Sequence, residues 1–310
     1  MFLFSTRKIF SPIFVLLLLS AIFIYSQDKI KTNTVKTKGD TSLIKKDALI
    51  SIDTLTIRKD SLLVADTSQN NVFVFPKHHN PAFDVGEKLI FDVGYGFITA
   101  GKAVMEIPNY EYHKGRKVFR VEFKVNSLPF FSTFYKVEDR YVSLIDYEGM
   151  FPWRFEQYIR EGGYIHDFKA EFDHEKKIAI TTKDTFSIEP FVHDILSALY
   201  YTRIIDYSGM RGGHIIELKN FYKDTTYNLD IRFRGREKIK VKAGTFQCII
   251  VEPIIEAGGL FKSEGVIHVW LTDDEKKIPV KVESKILIGS ISAELVEYSG
   301  IKGKIEAKVK

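Results

Sequence analysis

The chain has one cysteine, Cys248, among 310 residues. That excludes an internal disulfide and a paired-cysteine metal site, and a chain of this length can build a core large enough to do without such staples. Cys248 lies among apolar neighbours in GTFQCIIVEP, where a buried, inert thiol is the expectation. A nucleophile elbow and a phosphate loop are also lacking. Gly94-Tyr95-Gly96 begins like a phosphate fingerprint but has no third glycine and no following helix, so it reads as a bulge or bend in an edge strand. An excess of one charge is missing too. The 45 Lys and Arg residues are interleaved with 40 Asp and Glu, which excludes a nucleic-acid partner held by a basic surface.

Histidine-aspartate neighbours occur at His166-Asp167, Asp173-His174 and His193-Asp194, but adjacent strand residues point to opposite faces and make no ready acid-base pair. His78-His79 has no third ligand at a metal-site spacing. The sequence therefore assigns no catalytic residue, no cofactor site and no metal site. Glu138-Asp139-Arg140, two acids and an arginine at the start of a strand, reads as a structural ion-pair clamp.

What the chain does have begins at its amino terminus. Arg7 and Lys8 precede an uncharged, largely apolar run from Ile9 to Gln27, and the first acid is Asp28. This order predicts a secretory signal peptide over residues 1–26, cut near Ser26 or Gln27; an uncleaved anchor is the alternative. After cleavage no stable transmembrane segment is expected. Residues 27–75 are rich in Thr, Ser, Lys and Asp and read as a flexible tether, because they offer little surface to bury against their ordering entropy.

From residue 76 to 310 a single β-rich domain is expected. Phe119, Val121, Phe123 and Val125 alternate with Arg120, Glu122 and Lys124, the pattern of a sheet wet on one face and buried on the other. Similar runs recur from Lys88 to Glu297, separated by hairpin-length breaks such as Lys114-Gly115, Gly162-Gly163 and Ala243-Gly244, with Gly235 dividing Tyr227–Phe233 from Lys238–Val241. The last three runs, Val266–Leu271, Pro279–Ser284 and Gly289–Glu297, predict a meander in which Pro279 starts a strand or lies on an edge. One segment departs from this period. Val192, Ile195, Leu196, Leu199 and Tyr200 follow helical spacing, predicting about three turns from Asp194 to Ile205. The fold class is thus all-β with one main helix: a large curved antiparallel sheet, or an open half barrel, with the helix against its concave face.

Aromatic residues make up 14% of the chain and are densest at Phe130–Tyr135 and Phe151–Phe155. They fill a core or line an apolar cavity. In the cavity reading Trp153 and Phe155 from the sheet, with Leu196, Leu199 and Tyr200 from the helix, form the ligand-binding set, and the partner is a lipid, another apolar ligand or an envelope protein. An envelope enzyme would instead gather His166, His193, His214, Glu138 or Asp139 in a polar cleft, and a scaffold would be solidly filled.

Several motifs occur together in order: Gly86-Glu87-Lys88-Leu89 with Phe91-Asp92-Val93, Val137-Glu138-Asp139-Arg140, Asp194-Ile195-Leu196-Ser197-Ala198-Leu199-Tyr200-Tyr201, Ala243-Gly244-Thr245-Phe246 with Cys248, and Val269-Trp270-Leu271-Thr272-Asp273-Asp274 ahead of Ile278-Pro279-Val280. The set resembles the exported bacterial family known as domain of unknown function 3108, a likeness that implies export but no reaction and no catalytic residues. The closing strand, turn and Pro-led strand are also similar to those of periplasmic lipoprotein carriers, whose half barrels hold acyl chains beneath a helix. That likeness is one of fold, and function does not follow from fold.

Overall fold

A computed structural model describes residues 73–255, 266–285 and 289–309. The expected signal peptide and nearly all of the expected tether lie outside these residues. Phe73 and Phe75, at the end of the tether span, pack on the folded part: the Phe75 ring stacks on Phe151 at 5.8 Å and beneath the Arg116 guanidinium at 4.4 Å.

Among the described residues the strands form one 16-stranded antiparallel sheet, not closed into a barrel. In the first run β1 (Lys88–Tyr95), β2 (Ile98–His113), β3 (Arg116–Ser127), β4 (Glu138–Asp146), β5 (Pro152–Glu161), β6 (Tyr164–Asp173), β7 (Ile178–Thr181) and β8 (Thr185–Ser187) are successive neighbours. A one-turn helix α1 (Pro129–Ser132) joins β3 to β4, and α2 (Ile195–Thr202) follows β8. In the second run β9 (Ile215–Ile216) and β10 (Lys219–Tyr222) lead to β11 (Thr225–Val241), β12 (Gly244–Ile255), β13 (Ile267–Thr272), β14 (Pro279–Lys285) and β15 (Ser290–Ser299), and β16 (Lys308–Val309) pairs with β12. The runs join where β15 pairs with β1. The free edges at β8 and β10 are linked through His193, whose N–H donates to Lys219 O at 2.7 Å and whose carbonyl accepts from Phe221 N at 2.8 Å.

Three expectations need correction. β1 has neighbours on both sides, so Gly94-Tyr95-Gly96 is not in an edge strand; Gly94 lies at a bulge where a Cβ would stand 2.3 Å from Ile98 O, which only glycine permits. Gly235 does not end a strand. It takes φ +140° at a register slip and lets β11 run unbroken through both expected segments. The helix is shorter than about three turns, because Arg203 and Ile204 bond back to Tyr200 and Tyr201 and close its last turn. Its start is as expected: Asp194 accepts from Leu196 N at 2.7 Å and Ser197 N at 2.9 Å, and Ser197 Oγ accepts from Asp194 N, completing a capping box.

Helix α2 lies inside the curled sheet between two apolar clusters. Leu196 and Tyr200 face one, built chiefly from β1–β8 with strands that follow; Ala198 faces the other, with Leu229, Ile231, Val251 and Val269 from β11–β13.

Candidate functional site

Between α2 and the concave sheet lies an apolar cavity of about 130 Å³. Ile195, Ala198, Leu199 and Thr202 recur at helical spacing and form its floor, with Leu196 beside them. Met105 and Phe123 line it from β2 and β3, Ile231, Val251 and Val269 from β11–β13, and Val282 and Ala293 from β14 and β15. A larger hollow of about 510 Å³, bounded by Tyr298, Ile301, Lys304 and Lys308, is an open surface groove along the C-terminal segment. It is more open and has a more polar lining than the inner cavity, which is therefore the better candidate.

Leu196 and Leu199 meet at the cavity, whereas the other members of the expected set lie elsewhere. Tyr200 is one position round the helix and fully buried, its ring edge-on to Phe83 at 4.7 Å. Phe155 is buried in the core near Phe168. Trp153 faces away altogether. Ile145 pairs with Pro152 but Leu144 with Arg154, so a bulge leaves Trp153 unpaired and turns it to the opposite face of the sheet from Phe155. There its indole donates to Asp146 Oδ2 at 3.0 Å among Phe75, Phe151 and His174. Ile195 and Thr202 were legible as cavity residues, since they share the Leu199 face at i−4 and i+3.

Polar groups are placed for support. Glu87 and Arg203 form a bidentate pair at 2.6 and 2.7 Å with both side chains out of water. Burial works against the guanidinium charge, but the Glu87 carboxylate more than offsets it and holds the Arg203 pKa above its ordinary value. Arg203 also donates to Lys276 O at 3.1 Å, so the C-terminal end of α2 is fastened to β1 and to the β13–β14 turn. At the other end Ser143 donates to Asp194 Oδ2 at 2.6 Å, and burial lifts the Asp194 pKa to about 6. His193, fully buried, is pushed down to about 3 by desolvation. Cys248 is buried, with its thiol pKa pushed up to about 12 by desolvation.

The candidate polar cleft is not assembled among the described residues. Glu138 is exposed and pairs with Lys136, His193 is sealed beneath α2, and Asp167 pairs with Arg160. The clamp read at Glu138-Asp139-Arg140 also differs: Arg140 stacks over the Tyr158 ring at 4.8 Å, while Asp139 turns inward to accept from Arg160 N at 2.9 Å. Strand alternation sends the two neighbours to opposite faces. Among the described residues no group of three or more His, Cys, Asp or Glu is placed to hold a metal ion.

Residues 90–296 match the family described as "Protein of unknown function (DUF3108)". Among solved structures the chain is similar to a beta-barrel-like protein of the domain of unknown function DUF1849 from Brucella abortus, at 10% identity and a TM-score of 0.49, over 72% of this chain and 100% of that one. It is also similar to a protein with a YmcC-like fold, described as exported, from Bacteroides fragilis, at 12% identity and a TM-score of 0.34, over 73% of this chain and 99% of that one. Each score lies below 0.5, and neither likeness carries anything about function to this chain. No curated protein matches the sequence.

Proposed function

Because the chain belongs to the DUF3108 family, which brings no reaction with it, we propose a role from its own interior: an exported, envelope-associated protein that binds an apolar or amphiphilic ligand without catalysis. The observation that carries this reading is the partly open inner cavity whose walls, apart from Thr202, are apolar. An apolar lining of this kind favours apolar guests. The leader from Arg7 to Gln27 supports export. Asp194, Ser197, Ser143 and the Glu87–Arg203 pair are committed to capping α2 or clamping its ends.

The test fills the cavity. Leu199→Phe would occupy the space that a ligand needs, at a position already facing it. We expect the parent to bind a small fluorescent apolar probe, and Leu199→Phe to weaken that binding at least tenfold while its melting temperature holds or rises. If the parent binds no apolar probe and yields no co-purified ligand in native mass spectrometry, the interior is simply packed, and the scaffold reading takes its place.

A further inference from the structure

Antiparallel hairpins sort their turns to the two ends of a curled sheet, and the two ends of this one differ in chemistry. The β2–β3, β4–β5, β6–β7, β11–β12 and β13–β14 turns share one end and carry Lys114, Glu148, Glu175-Lys176, Lys242 and Asp273 to Lys277. The exposed rings near it, Tyr112 and Tyr147, both keep a hydroxyl. The opposite rim carries exposed apolar residues on three adjoining connections, while its β7–β8 and β10–β11 turns carry Lys183-Asp184 and Lys223-Asp224. Phe97 in the β1–β2 turn is 98% exposed, Phe130 and Phe134 between β3 and β4 are 69% and 73% exposed, and Ile165 after the β5–β6 turn is 69% exposed.

These positions adjoin. Gly101 pairs with Ser127, which sets the β3–β4 connection beside the β1–β2 turn. Gly162 N donates to Lys136 O at 2.7 Å, which ties that connection to the β5–β6 turn. Just behind the tips stand Tyr95 and Tyr164, each more than half covered, with exposed Lys136 nearby.

We propose that this rim docks on a lipid bilayer, with Phe97, Phe130 and Phe134 entering the boundary between headgroups and acyl chains. Three features select a bilayer over a protein. Phe97 stands on one turn and the packed pair Phe130 and Phe134, 5.6 Å apart, on another, along a curved rim, so they form no single flat face for a second protein to match, whereas a fluid apolar layer accepts any such arrangement. Phenylalanines at the tips with tyrosines one step behind reproduce the depth order of an interface, where hydroxyl-bearing rings sit at headgroup level. On this rim the charged turns, β7–β8 and β10–β11, lie at the two edges of the sheet, away from the β1–β2 and β3–β4 connections that carry the rings. The cavity also lies toward this rim: Ala103, in its lining, is two residues in from Gly101, while the Glu87–Arg203 pair shuts the far end. The proposal goes beyond the ligand reading and does not rest on it.

The experiment measures association of the processed chain with sedimented vesicles of phosphatidylcholine, alone and with phosphatidylglycerol added. The parent should partition onto both. Phe97→Ser with Phe130→Ser and Phe134→Ser should lower the partition coefficient at least tenfold with no fall in melting temperature, since all three rings are exposed. Tyr112→Ser at the far end should change nothing. The indole of Phe97→Trp should shift to the blue and be quenched by lipids brominated on their acyl chains. The proposal is overturned if the parent stays in the supernatant, if the triple variant binds as well as the parent, or if the triple substitution instead disrupts self-association. A triple variant that leaves the vesicles but still takes up the apolar probe supports the proposal and leaves the cavity reading standing, so the two can fail separately.

Discussion

Arg203 is a charged side chain placed on the buried side of a helix, and the structure accounts for it through a single partner. Removing one member of a buried pair strands the other charge out of water, which costs about 3–5 kcal/mol, whereas replacing both by apolar groups of similar volume is often close to neutral. Glu87→Gln and Arg203→Met should therefore each lower unfolding free energy by about that amount in urea titrations, and Glu87→Leu with Arg203→Met should recover most of the loss. Single variants that cost less than about 1 kcal/mol would show that the pair is no clamp. The sequence held a signal for Arg203, because it follows Leu196 and Tyr200 along one helical stripe. Nothing local marked Glu87 as its partner: the contact joins residues 116 positions apart, and only the closure of the sheet brings them together.

Helix α2 is an element whose start depends on a buried acid. The Asp194 pKa is raised by burial to about 6 from 3.8, so its protonated form is favoured by folding. Its contribution is fully present below pH 4 and lost as pH rises to about 6, with a loss of roughly 2–3 kcal/mol for a shift of about two units. Asp194→Asn keeps an acceptor for the capping bonds but does not titrate. The parent should thus lose stability relative to Asp194→Asn between pH 4 and 6, and a difference that stays flat from pH 3 to 8 would show that the group does not sense its burial. His193, lowered to about 3, acts in the opposite sense as pH falls below its ordinary value, but it is common to both proteins and cancels in the difference. At this scale the sequence was most legible where a rule of period applies. Phe119, Val121 and Val125 are buried as their alternation requires, and Asp194 caps the helix that the apolar spacing predicts. The rule failed where one inserted residue reset the period: Trp153 and Phe155 belong on one face by counting, and the bulge opposite Leu144 puts them on two. Gly235 misled in the other direction, because a glycine that looks like a terminus can equally be the joint that keeps a long strand continuous.

For the whole molecule, the size of the interior decides what it can hold. A cavity of about 130 Å³ is close to the roughly 150 Å³ apolar void that accepts benzene, and far below the 300–1,000 Å³ of pockets for drug-sized ligands. At this size it takes one ring or a short stretch of chain. Holding a full acyl chain requires α2 to move, and α2 is pinned at one end by Glu87 and at the other by Ser143. These two regimes give different responses to a series of straight-chain alcohols of increasing length. With α2 fixed, affinity should rise by up to about 0.8 kcal/mol per buried methylene and then level off within a few carbons, once the cavity is full. With α2 free to swing aside, it should keep rising along the series. Binding measured by calorimetry on the parent should show the early plateau, and on Ser143→Ala, which loses one pin, the plateau should move to longer chains. A parent series that climbs without levelling would mean that the pins do not hold the helix, and that the interior opens to a whole chain unaided.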